Sequence, residues 1–182
     1  MQRFAELLDS LAFQPARNAK LRLITTYLAA TPDPDRGYAL AALTGTLDLP
    51  NAKPALLREF GVQRLGETLF TLSYDYVGDL AETLSLVWDA NVSPDADGTG
   101  LQSGHNRPPP SLGEVVDRLR LTSKRETPRL IEGWFDELDA TGRWALIKLV
   151  TGALRVGVSA RLAKQAAADL GGVSVDDVEE VW

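Results

Sequence analysis

The chain has 182 residues and a net charge of −6, with 45% hydrophobic and 24% charged residues, which predicts one soluble globular domain with a sizeable core. It contains no cysteine, and this excludes a disulfide framework and thiolate metal sites. Neither a secretion signal nor a long uncharged apolar run occurs, so we expect a cytoplasmic protein. Alanine and leucine are common and runs of strand-forming residues are scarce, which predicts an all-α fold.

The excess of acidic residues argues against a generic nucleic-acid binder, but the charges are unevenly distributed. Between Asp117 and Lys164 there are ten basic residues and six acidic ones, whereas acids dominate the stretch from Asp176 to Glu180. Because the local sign of the charge steers a ligand more than the total does, an anionic ligand of the basic part stays possible.

Helical periodicity and end signals predict about ten to twelve helices in a single domain. Their approximate ranges are 2–13, 17–30, 38–43, 51–60, 66–76, 80–88, 112–121, 127–138, 141–151, 159–170 and 174–182. Asn18 is a possible N-cap of the second helix, and Ser111 with Glu114 predicts a capping box. Residues 90–110 are polar and predict a solvated loop.

An internal repeat relates residues 17–60 to residues 124–170. Gly45 recurs as Gly152, 107 residues later, and at this offset seven residues are identical without a gap: Arg22, Leu23, Ile24, Arg36, Thr44, Gly45 and Leu47. Two similar amphipathic hairpins are the alternative explanation. Two copies suggest a pseudo-twofold domain that would hold a duplex backbone on both sides of one point.

The turn from Thr151 to Lys164 has the features of a phosphate site. Glycines allow a close approach of the backbone, helix N-termini expose N–H groups, and arginines add full charges. The candidate residues in this turn are Thr151, Gly152, Arg155, Gly157, Ser159, Arg161 and Lys164. The repeat adds Arg17, Asn18, Lys20, Thr44 and Gly45 in the first copy, and Lys124, Arg125 and Thr127 in the second. The alternative is that the glycines and Ser159 only cap helices and that the cations are solvated.

Four motifs in order give a family resemblance: Asn-Ala-Lys-Leu at 18–21, Val-Gly-Asp-Leu-Ala-Glu at 77–82, Ser-Leu-Gly-Glu-Val-Val-Asp at 111–117 and Thr-Gly-Ala-Leu-Arg-Val-Gly-Val at 151–158. Over residues 1–182 the chain resembles the N-terminal DNA-binding domain of ATP-dependent DNA ligases of the bacterial type. The resemblance implies an all-helical, monomeric domain that grips nicked duplex DNA through the backbone and minor groove, independently of sequence. It also implies a role in DNA repair, replication or recombination.

The resemblance places the chemistry in nucleotidyltransferase and OB-fold domains that follow residue 182, with ATP and Mg²⁺ as cofactors of the parent enzyme. The chain itself has no Lys-x-Asp-Gly motif, so adenylation is not assigned to it and it is not expected to be an enzyme alone. It ends on Trp182 without a closing signal, which also predicts a longer protein.

Other functions have less support in the sequence. A helical protein-interaction module with an acidic partner remains the alternative. His105 has no cysteine or second histidine beside it, so no metal site is predicted, and a magnesium cluster of Asp75, Asp79 and Glu82 is less economical than helix capping by Asp79.

Overall fold

A computed structural model describes residues 1–90, 108–152 and 154–182, which form eleven helices and no strand. The helices are α1 (Gln2–Phe13), α2 (Arg17–Ala30), α3 (Asp35–Thr44), α4 (Pro54–Leu65), α5 (Glu67–Val77), α6 (Leu80–Ala90), α7 (Leu112–Leu121), α8 (Thr127–Glu137), α9 (Ala140–Thr151), α10 (Ala160–Gly171) and α11 (Val175–Val181). The predicted all-α fold is therefore confirmed. Most of the predicted polar loop, with His105, lies outside the described residues.

Helix ends follow from local chemistry in most places. The Ser111 hydroxyl accepts from the Glu114 amide at 3.0 Å while the Glu114 carboxylate accepts from the Ser111 amide at 2.9 Å, which is the predicted capping box. Asp79 caps α6 by accepting from the amides of Ala81 and Glu82 at 2.8 and 3.1 Å. These caps satisfy amides that have no acceptor within the helix.

Four predicted helix ends were wrong. Helix α3 begins at Asp35 and not at residue 38, and α4 begins at Pro54 and not at residue 51. The N-cap of α2 is Ala16 and not Asn18, so α2 begins without a side-chain cap. Gly61 does not end α4, which continues to Leu65. A Cβ at Gly61 would overlap the ring of Phe70, so this glycine serves the close packing of α5 against α4 and not a turn.

The core lies around α9, which packs against α1 and α6 and carries a nearly continuous run of buried side chains from Ala145 to Val150. Beside it, the rings of Phe60, Trp88 and Phe135 meet edge to face, with the Trp88 and Phe135 centroids 4.9 Å apart. Edge-to-face geometry is favourable for aromatic rings, so α4, α6 and α8 are joined by one aromatic cluster.

The two sequence copies have the same local structure. Arg36 donates through Nε to the Thr31 carbonyl at 3.0 Å, and its counterpart Arg143 donates through Nε to the Leu138 carbonyl at 2.9 Å. Thr44 and Thr151, also counterparts, each donate to the carbonyl four residues earlier at 2.8 Å. Both hairpins end in a left-handed glycine, Gly45 with φ 72° and Gly152 with φ 66°.

Several contacts between helices follow the repeat, although the contact of α2 with α10 has no comparable counterpart between α8 and α4. The contact of α1 with α9 has its counterpart in the contact of α7 with α3, and that of α3 with α10 has its counterpart in that of α9 with α4. The correspondence extends past the two copies, because α4 packs on the following α5 as α10 packs on the following α11. Helices from both halves therefore contribute to one hydrophobic core.

Candidate nucleic-acid interface

In the turn from α9 to α10, exposed residues alternate with the apolar residues Leu154, Val156 and Val158, which pack on the core. Val156 is 5% exposed and packs in the core, whereas Arg155, Gly157 and Ser159 on either side of it are exposed. Arg155 has φ 42° and Gly157 has φ 66°, both in the left-handed region. This region suits glycine but is uncommon for arginine, so the fold holds the Arg155 backbone in an unfavourable conformation.

The start of α10 is capped within the chain. The Ser159 hydroxyl accepts from the Leu162 amide at 3.2 Å, as the alternative interpretation of this residue predicts. The amides of Ala160 and Arg161 come earlier in the helix, where no preceding turn supplies a carbonyl. Together with the exposed Arg161 side chain they give this end of α10 a positive character.

Lys20 supports this turn from beneath and does not face a ligand. Its side chain is buried, with 7% of the residue exposed, and Nζ donates to the Val156 carbonyl. A Cβ built on Gly157 would lie 2.5 Å from Lys20 Nζ. Direct phosphate contact by Lys20 is therefore not compatible with this structure, because the ammonium is covered and already bound to the turn.

The contact between Lys20 and Val156 also changes how the predicted residues are grouped. It brings the start of α2, from the first copy, beside the turn and the start of α10, from the second copy. We call this composite surface the α10 face, and its exposed predicted residues are Arg17, Asn18, Arg155, Gly157, Ser159 and Arg161. The segments 10–32 and 152–168, which supply them, contain no acidic residue.

Lys124 and Arg125 belong to a second composite surface, which we call the α4 face. Asn51, in the turn between α3 and α4, donates through Nδ2 to the carbonyl of Thr122, the C-cap of α7, at 2.9 Å and so joins this turn to the segment between α7 and α8. Lys124 and Arg125 are exposed there. Lys53, at the N-cap of α4, is also exposed and was missed, although the 107-residue offset aligns its neighbour Pro54 with Arg161.

Thr127 does not take part in the α4 face as an exposed group. It is fully buried, and its hydroxyl donates to the Ser123 carbonyl at 2.9 Å. Its counterpart Lys20 is also buried, because both lie four residues before a core isoleucine, Ile131 and Ile24, on the same stripe of their helices. This spacing would have predicted from the sequence that both side chains are buried.

The two faces are not chemically equivalent. At the 107-residue offset, Asp48 stands at the position of Arg155 and Pro50 at that of Gly157, so the turn of the α4 face lacks both the cation and the second left-handed glycine. Thr44, Gly45, Thr151 and Gly152 end their helices in both copies, and the threonine hydroxyls are engaged with backbone carbonyls. The α10 face is therefore the better candidate for an anion.

Lys164 lies on α10 like Arg161, but its side chain contacts Glu179 of α11 and Trp182. Its Nζ lies 3.5 Å from a Glu179 carboxylate oxygen and 5.4 Å from the centroid of the Trp182 ring. The side chain is 16% exposed. In this conformation Lys164 is thus paired within the chain.

Asp79 has a structural role at the start of α6. Lys148 Nζ donates to it at 2.6 Å, in addition to the two capping amides. Burial alone would raise the pKa of Asp79, but the hydrogen bond from Lys148 and those from the amides of Glu82 and Ala81 hold the pKa below its ordinary value of 3.8. The carboxylate is accordingly used in capping and in an ion pair.

Residues 1–168 match the family described as DNA ligase N terminus. The chain belongs to this family. As a member of this N-terminal family of ATP-dependent DNA ligases, it has the all-helical fold that the sequence predicts. The match includes α1 to α9 and most of α10, with the turn that carries Arg155, and ends before α11.

Comparison with curated proteins finds no match to the chain. None of the helices in the described ranges is long and apolar enough to cross a membrane. Membership of the family connects the chain with DNA ligases and with DNA as a ligand in general, and the more specific function is argued below.

Proposed function

We propose that this chain binds nicked duplex DNA through the phosphate backbone and minor groove, independently of sequence, as the DNA-binding part of an ATP-dependent DNA ligase. The observation that carries the proposal is the exposed Arg155, held at φ 42° on the α10 face inside the region that matches the ligase family. An exposed cation on a backbone turn is suited to a phosphate, a group that recurs along the DNA backbone whatever the base sequence.

The α10 face combines three features that favour the binding of a phosphate. Arg17, Arg155 and Arg161 supply full charges, the first amides of α10 supply unpaired donors, and Gly157 leaves the backbone without a side chain. The α4 face, with Lys53, Lys124 and Arg125, is proposed as a second and weaker backbone contact. The proposal no longer includes Lys20 and Thr127 as direct contacts.

The domain holds the DNA and leaves the chemistry to other domains. We propose that a nucleotidyltransferase domain and an OB-fold domain of the parent protein use ATP and Mg²⁺ to seal the nick in DNA repair, replication or recombination. The 182 residues contain no Lys-x-Asp-Gly motif that would accept AMP. A cytoplasmic, monomeric protein remains part of this proposal.

The proposal is tested by fluorescence anisotropy of a labelled nicked duplex titrated with the protein at several salt concentrations. Arg155→Ala is expected to weaken binding by about 1 kcal/mol, or roughly fivefold, because a charge-assisted contact at a partly exposed site is lost. The negative slope of log K against log salt should become less steep by about 0.9, which is the contribution of one neutralised phosphate.

Arg3→Ala is the matched control. Arg3 donates to the Ala30 carbonyl at 2.9 Å, at the end of α2 opposite to Arg17. The variant therefore also removes one positive charge, but at a site outside the α10 face. It should leave the salt slope unchanged. Equal binding by Arg155→Ala and wild type would contradict the site, and stronger binding to poly-glutamate than to DNA would favour the interaction module.

A further inference from the structure

The helix α11 places an acidic surface against one of the cations of the α10 face. Four of its seven residues are acidic, namely Asp176, Asp177, Glu179 and Glu180. It packs directly on α10. Its C-terminal part reaches Lys164, where Glu179 lies 3.5 Å from Nζ and the Trp182 ring covers the ammonium at 5.4 Å.

Lys164 would otherwise extend the row of cations on α10. It follows Arg161 by three residues and lies on the same side of the helix, one turn further along. Arg161 is exposed, whereas the Lys164 side chain retains 16% of its accessible surface. The difference between the two cations coincides with the ion pair and the ring contact that α11 makes with Lys164 alone.

We propose that α11 competes with DNA for Lys164 and thereby limits the affinity of the α10 face. This inference rests on the proposed function, since it needs DNA as the ligand of that face. A phosphate that approaches Lys164 must displace the Glu179 carboxylate. Binding of DNA therefore goes with release of Lys164 from α11. The family match ends at residue 168, before α11 begins.

The strength of the contact sets the size of the effect. Glu179 is 54% exposed and the pair is separated by 3.5 Å, which is the geometry of a surface ion pair. Such pairs are weak enough to be exchanged for a phosphate, so we expect a change in affinity of about two- to fivefold and not a complete block.

The test measures binding of the labelled nicked duplex to the full 182-residue chain as a function of salt, for Glu179→Gln and for Glu180→Gln. Both variants remove one negative charge from α11, but Glu179 alone of the two is paired with Lys164. Glu179→Gln should bind DNA about two- to fivefold more tightly. Its negative slope of log K against log salt should be steeper by about 0.9, because one more phosphate is neutralised. Glu180→Gln should leave the slope at the wild-type value.

The double variant Lys164→Ala, Glu179→Gln decides whether the gain passes through Lys164. It should lose the added slope and bind no more tightly than Lys164→Ala. The inference is overturned if Glu179→Gln and Glu180→Gln behave alike, or if the double variant keeps the gain. In those cases Arg155→Ala would still weaken binding, whereas failure of the proposed function would show as no effect of Arg155→Ala.

Discussion

Replacing Gly157 by alanine tests the support of the α10 face in the most direct way. Gly157 has φ 66°, where an alanine costs about 1–2 kcal/mol, and its Cβ would lie 2.5 Å from Lys20 Nζ. The Lys20 side chain would have to move and would give up its hydrogen bond to the Val156 carbonyl. A hydrogen bond made by a charged group contributes about 1.5–3 kcal/mol, so we expect Gly157→Ala to lower the free energy of unfolding by roughly 2.5–5 kcal/mol.

Gly152→Ala provides the matched control. Gly152 has the same φ of 66°, but nothing lies within 4 Å of its ideal Cβ. Gly152→Ala should therefore lower the free energy of unfolding only by the cost of an alanine in the left-handed region, about 1–2 kcal/mol. Urea denaturation of both variants, followed by circular dichroism, gives the difference, which isolates the contact with Lys20.

A second background sharpens the same test. In Lys20→Met the side chain ends near the position of the lysine Cε, which lies 3.8 Å from the ideal Cβ of Gly157, an ordinary contact distance. Gly157→Ala should then cost no more than Gly152→Ala does. If the two glycine variants destabilise the wild-type protein equally, the role assigned to Lys20 is refuted.

Two further stability predictions follow from the same kind of geometry. Asp79→Asn should lower the free energy of unfolding by about 0.5–1 kcal/mol, because the ion pair with Lys148 is lost while the amide oxygen of asparagine can still cap α6. Since the folded pKa of Asp79 lies below the unfolded value, its contribution is complete above about pH 5 and is lost as the pH falls through the folded pKa. Urea melts between pH 5 and pH 3 should thus fall less steeply for Asp79→Asn than for wild type, and parallel curves would contradict this. Gly61→Ala should destabilise the protein by about 1–3 kcal/mol, because the new Cβ overlaps the Phe70 ring. Gly133→Ala should stabilise it by about 0.5–1 kcal/mol, because the Cβ has free space within α8. The opposite order of the two variants in thermal melts would refute the packing argument.

Local chemistry was enough to predict most of the helix ends. Ser111 with Glu114, and Gly45 with Gly152, act through neighbours in the chain, so their residue types and spacing determine the structure nearby. The end assigned to Gly61 was wrong because this glycine is required by Phe70 on the next helix. Such a requirement depends on packing between helices, and a local pattern does not contain it.

The grouping of the candidate residues could not be predicted in the same way. The repeat shows that the start of α2 and the turn after α3 both have counterparts, but not which segments of the other half they contact. The hydrogen bonds of Lys20 with Val156 and of Asn51 with Thr122 place the start of α2 beside the turn after α9, and the turn after α3 beside the end of α7. This arrangement follows from the burial of each half against the other, which is a property of the complete fold.

The two copies differ at their exposed turns while their cores correspond, and this pattern bears on the proposed function. Ile24 and Ile131, or Leu28 and Phe135, are buried in equivalent places, and any apolar side chain of suitable volume maintains such a core. Nothing in the packing requires Arg155 where the other copy has Asp48, because both side chains are exposed. The unfavourable φ of 42° at Arg155 makes this residue costly for the fold alone, since an arginine gains nothing from the left-handed region. Under the proposed function, a repeated scaffold with one specialised turn would hold a DNA backbone more firmly at the α10 face than at the α4 face, and the two sides of a nick would be gripped with unequal strength.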